Sequence, residues 1–175
     1  MSREQLLIRR IRIWLLVFVV GLIVSGLTAI PLNMELQALS GMVGATGEPS
    51  AYSAGGFHWW IATVRAGVHQ TYTVYPWMAY GTDWLAFAHL VIAVAFIGPW
   101  RDPVRNAWVV EFGIIACLLV VPAAFVFGAV RGIPVFWRIV DCSFGMVGII
   151  PLGLCRQWIR ELAAVKESVP GRTTE

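Results

Sequence analysis

The sequence predicts an all-α integral membrane protein: a bundle of four transmembrane helices with an amphipathic interfacial helix in the outer loop between the first two. Three observations predict it. Of the 175 residues, 58% are apolar and only 13% charged, with a mean hydropathy of +0.73, whereas soluble domains carry about 25% charged residues. Four charge-poor runs are each long enough to cross a hydrocarbon core about 30 Å thick, which needs roughly 20 residues of helix. Basic residues are also distributed very unequally between the two sides of those runs. This composition excludes a disordered chain, a disulfide-stapled secreted module and an ordinary cytosolic enzyme.

Taken in order, a basic N-terminus, 1–12, is followed by a first span at 13–30 that contains no charge. A secretory signal has a similar layout, but its apolar stretch is usually about 7–15 residues. Leu27 at the −3 position also disfavours a cut after Ala29, so an uncleaved helix is expected; a cut after Gly26, with Val24 at −3, stays open. The second span is expected at 83–100, a cytoplasmic loop at 101–106, the third span at 107–130, the fourth at 135–155 and a cytoplasmic tail at 156–175. Trp14, Trp84, Trp100, Trp108, Trp137 and Trp158 lie near the ends of these runs, as an aromatic belt requires.

Orientation follows from the basic residues. Arg3, Arg9, Arg10, Arg12, Arg101, Arg105, Arg156, Arg160, Lys166 and Arg172 share the side of the N-terminus, against Arg65, Arg131 and Arg138 on the other. Ten against three places both termini in the cytoplasm of a multi-pass plasma-membrane protein, the inner membrane in a Gram-negative cell. The net charge of +3 is then mostly a matter of topology. No basic run is long enough for nucleic acid; the expected contacts are membrane lipids.

The outer segment, 31–82, is too long for a simple connector. Leu32, Met34, Leu36 and Leu39 form a short, weakly helical apolar piece, and the glycine-rich residues 40–56 suggest a flexible loop. Helical periodicity then predicts the interfacial helix at about 57–72. At 100° per residue, His58, Arg65, His69 and Tyr72 cluster on one face, with Trp60 opposite and Val64 and Val68 on the apolar flank between. The polar stripe faces either water and headgroups or a site beneath it.

Titratable groups within a span cost about 2.5–3.5 kcal/mol at its centre, so each needs a partner or a purpose. At about 1.5 Å per residue, His89 lies about 9 Å below Asp83 and Asp141 about 9 Å below Val135, which puts both in the outer third. Arg138 stands three residues before Asp141, at the spacing of an intrahelical ion pair. Ser25, Thr28 and a kink at Pro122 add irregularity at the same depth. The candidate ligand-binding residues are therefore His89, Arg138, Asp141, Arg65, His69 and Asp83. The plainer alternative is an Arg138–Asp141 pair that reaches for the interface and a neutral His89 bonded to a carbonyl. Glu111, one turn into the third span, is expected to pair with Arg101 or Arg105.

Among chemistries, Cys117, Cys142 and Cys155 include no Cys-x-x-Cys pair, so a disulfide relay is not expected. No His-Glu-x-x-His motif occurs, a composite of His69, His89, Asp83 and Asp141 is a weak substitute, and no metal site is expected. No Gly-x-Ser-x-Gly supports a serine nucleophile. Two readings remain. The first is a lipid-like or quinone-like ligand in an outer-leaflet polar pocket, with Arg138 on an anionic or carbonyl group and Arg65 and His69 at the mouth. The alternative is a small redox protein with a b-type haem on His89 and His69. Whether the chain is an enzyme stays open. Gly21, Gly26, Gly145 and Gly148 permit close helix approach, which suits self-packing, a homo-oligomer or an accessory role in a larger membrane complex equally.

Overall fold

The computed structural model describes residues 2–168; the expected basic residue Arg172 and the rest of 169–175 lie outside them. Among the described residues the regular structure is entirely helical. The main helices are α1 (Arg3–Thr28), α2 (Leu32–Val43), α3 (Phe57–Val74), α4 (Tyr80–Ala95), α5 (Ile97–Arg101), α6 (Ala107–Val130) and α7 (Val135–Glu167), with short 3₁₀ turns at Pro49–Ala51 and Pro76–Ala79. Four helical stretches are long and apolar enough to cross a membrane: Arg3–Thr28, Pro76–Arg101, Ala107–Val130 and Val135–Glu167. In the most apolar window of each, only 17–22% of residues are buried. Side chains such as Val17, Phe87, Leu119, Phe127 and Val147 are exposed. Apolar surface on this scale is foreign to a monomer in water.

The chain divides into two compact units, one from the residues up to Gly21 with those from Ile92 onward, the other from Leu22–Val91. In the first unit the core is a layer of Leu7, Ile11 and Leu15 from α1, Phe96, Val109 and Val110, and Leu152, Cys155, Ile159 and Leu162 from α7. Both sets recur every three or four residues, so each helix offers a continuous apolar stripe. The helices therefore run beyond the expected spans: α1 begins at Arg3, and α7 continues to Glu167. With 33 residues α7 is about 50 Å long, well over a hydrocarbon core. Its final turns are amphipathic, burying Ile159 and Leu162 and exposing Arg160 and Lys166.

Gly113 lies where an added Cβ would come within 2.8 Å of Leu152, and Gly145 where one would reach 2.5 Å from the Cys117 carbonyl oxygen. At Gly145 the α7 backbone meets that of α6, and at Gly113 the α6 backbone meets the Leu152 side chain, the close approach that small residues permit between apolar helices. The reversal between them is built on Gly132, whose φ of 68° only glycine adopts readily. Its N–H bonds the Ala129 carbonyl (3.3 Å) and the Ile133 N–H the Gly128 carbonyl (2.9 Å), the paired closure of a Schellman motif, and Pro134 follows to bar continuation.

The expected second span is not one uninterrupted helix. α4 stops at Ala95, Phe96 intervenes, and α5 starts at Ile97. Pro99 explains the break, since it has no N–H to donate to the Ala95 carbonyl and its ring crowds that group. Phe96 uses the offset to enter the core, 4.9 Å from the Phe18 ring centroid. The following connection is tied by Asn106 Nδ2, which donates to the carbonyls of Gly98 (3.2 Å) and Asp102 (3.0 Å).

Candidate functional site

In the second unit, α3 forms over the expected residues and buries Ile61 and Ala62. Its polar stripe does not simply face outward. The segment after α2 folds against it and meets two stripe residues, while a third contacts α4. Arg65 Nη2 donates to the carbonyls of Thr46 and Gly47, each at 2.9 Å. His58 stacks on Tyr52 with ring centroids 6.0 Å apart. The Tyr72 hydroxyl lies 3.3 Å from that of Thr82.

Residues 40–56, expected as a flexible loop, are accordingly pinned. Helix α2 extends through Val43 and ends at Gly44, whose φ of 74° turns the chain; the N–H groups of Gly44 and Ala45 both reach the Ser40 carbonyl. The Tyr52 hydroxyl accepts from the Gly47 N–H (2.9 Å) and donates to the Gly44 carbonyl (3.2 Å). Glycine supplies bare peptide groups here, and Arg65 and Tyr52 use them. Counting glycines as flexibility misses this because the partners lie up to 19 residues away.

The fold leaves a cavity of about 330 Å³ lined by Gln37, Glu48, Arg65, Ala66 and His69. Arg65 and His69, one helical turn apart, are the two expected site residues that the structure brings together. The two carbonyl bonds orient the Arg65 guanidinium, and Arg65 makes no ion pair among the described residues. Its Nε is buried without an acceptor. An unmet buried donor costs about 1–3 kcal/mol, so this cation is held in place without being neutralised. Gln37 and Glu48 were not anticipated; helical periodicity gives no signal for a wall formed by a different helix and a loop.

The remaining expected residues are placed as follows. Asp83 is exposed in the first turn of α4, where a carboxylate suits the positive end of the helix dipole. His89, in the same unit, donates from Nδ1 to the Leu85 carbonyl at 2.8 Å, since a carbonyl oxygen can only accept. A bond to a carbonyl is what the plainer alternative expected of this ring, and it leaves Nε2 as the ring atom open to a ligand. Gly26 of α1 packs directly on His89: a Cβ there would lie 2.5 Å from His89 Cβ.

In the first unit, Arg138 does not form the expected ion pair with Asp141. Its Nε donates to the Ile133 carbonyl at 2.7 Å, and its stem lies across Gly128. The α6–α7 turn presents that carbonyl close to Arg138, and a neutral acceptor already at hand captures the side chain. Asp141 is half-buried and pairs with no cation among the described residues. Glu111 differs from expectation as well: it pairs with Arg156 of α7, not with Arg101 or Arg105. Packing α6 on α7 decides the partner, and sequence proximity does not.

Cys117, Cys142 and Cys155 are free thiols, and Cys155 Sγ points to the Ile11 carbonyl at 3.6 Å. No group of three or more His, Cys, Asp or Glu side chains is placed to hold a metal ion among the described residues. The chain matches no protein-family model, and no curated protein or solved structure is significantly similar to it.

Proposed function

We propose that the chain is an integral membrane protein whose four long apolar helices span the bilayer as a bundle. Both termini lie in the cytoplasm, and the outer segment binds a lipid-like or quinone-like molecule as an accessory rather than a catalytic component. The exposure of the four helical stretches supports insertion, since lipid is the solvent in which that surface costs nothing. The ten-to-three partition of basic residues supports the orientation.

The observation that carries the ligand is the cavity at Arg65 and His69. A guanidinium oriented by two carbonyls and paired with no carboxylate suits an anionic or carbonyl oxygen. His69 adds a second polar group one turn along. Gln37 and Glu48 complete a wall that orients the head of the ligand, leaving its apolar part for the membrane.

Native mass spectrometry of the full chain purified from its own membranes tests this reading. The expected result is a co-purifying lipid-like or quinone-like mass that His69→Ala and Arg65→Gln each deplete several-fold. No such mass, or one that both variants retain in full, overturns it. A Soret band in the absorption spectrum would replace it with the haem reading.

A further inference from the structure

A second cavity, of about 430 Å³, lies in the first unit along the basic end of α1 and is distinct from the outer one. One face of α1 makes most of it. Leu7, Ile11 and Leu15 point into the core, while Gln5, Arg9, Arg12, Ile13 and Leu16 line the cavity together with Trp100. Among the described residues no acidic side chain lines it.

The two arginines are set for an anion. Arg12 is fixed through Nε, which donates to the Trp100 carbonyl at 3.2 Å, so its remaining donors stay available. Arg9 makes no hydrogen bond or ion pair among the described residues. Arg10, between them in sequence, is turned elsewhere, its guanidinium 5.9 Å from the Trp158 ring centroid. Arg9 and Arg12 are three residues apart on one helix face, where like charges repel, and an anion shared between them relieves that repulsion. Past the arginines the surface becomes apolar within roughly 10 Å along the axis, at Ile13 and Leu16, which are about half exposed. Trp100 stands at the boundary, where an indole favours the headgroup level.

Cation, indole and apolar wall in that order match a phospholipid with a net negative head. We propose that this groove is a binding site for an anionic phospholipid, its phosphate on Arg9 and Arg12 and the start of an acyl chain along Ile13 and Leu16. The site rests on the membrane-spanning reading but not on the outer ligand. In the orientation argued above it faces the cytoplasmic leaflet, where anionic lipids attract basic residues.

The test uses the full chain in mild detergent, offered phosphatidylglycerol and phosphatidylcholine in equal amounts and read by native mass spectrometry, with circular dichroism as a check on folding. Phosphatidylglycerol is expected to be retained roughly tenfold over phosphatidylcholine. The Arg9→Gln/Arg12→Gln double variant should lose about tenfold of that retention, and Arg9→Lys/Arg12→Lys should recover part of it. Arg105→Gln/Arg160→Gln removes two exposed arginines elsewhere in the same unit and should change retention less than about threefold. Equal losses in the two Gln pairs, or none in the first, overturn the proposal. So does stabilisation by inorganic phosphate alone equal to that by phosphatidylglycerol, which would mean a free anion is the ligand. Release of the chain from membranes by alkaline carbonate would instead refute the spanning reading.

Discussion

Arg138 lies across Gly128, where a Cβ would sit 2.8 Å from both its Cγ and its Cδ. The helix glycine exists for an arginine stem, and the stem in turn holds Nε on the Ile133 carbonyl. Gly128→Ala is therefore expected to destabilise the protein by about 1–3 kcal/mol, from crowding and the strained bond. Unfolding in detergent measures it. In an Arg138→Ala background the same change should cost much less; an equal cost in both backgrounds would show that the stem is not what Gly128 accommodates.

Gly26 and His89 form a closer contact with a different dependence. An added methyl at Gly26 would meet His89 Cβ at 2.5 Å and the Ala86 carbonyl oxygen at 3.3 Å. Neither can rotate away, so Gly26→Ala should cost on the order of 2 kcal/mol or more as α1 and α4 separate. His89→Ala keeps the Cβ and is expected to give no relief. If it does restore stability, the imidazole ring and not the helix spacing is the obstacle.

In the Glu111–Arg156 pair the side chains are 46% and 24% exposed. Its coupling in a double-mutant cycle of Glu111→Gln and Arg156→Gln should not exceed about 1 kcal/mol. A coupling of several kcal/mol would place the pair in a much drier setting than the exposure implies.

Tyr52→Phe removes a hydroxyl that bridges the Gly44 and Gly47 peptide groups. The loss is expected to be about 1 kcal/mol, local to the loop. It should appear as faster limited proteolysis within residues 44–56 while the unfolding midpoint of the whole chain hardly moves. Arg65→Lys should act alike, since the shorter lysine stem ends before the position from which Nη2 donates to both carbonyls. Unchanged cleavage in both variants would remove the anchoring role assigned to these residues.

Composition, run length and periodicity determined the helical class, the four long apolar helices and the helix at Phe57–Val74, because apolar periodicity is a local property and each stretch carries its own. Even the break at Phe96 was written locally, in Pro99. The partners of polar groups were not. Spacing pointed Arg138 to Asp141 and Glu111 to Arg101 or Arg105, whereas the fold gave Arg138 the Ile133 carbonyl and Glu111 the distant Arg156. A charged side chain bonds whatever acceptor the fold brings within about 3 Å, and spacing along one helix lists only some of these. Likewise, Arg65 and His69 became a cavity wall only when Gln37 and Glu48 arrived from elsewhere in the chain. Long-range packing, which a single sequence does not display, decided both.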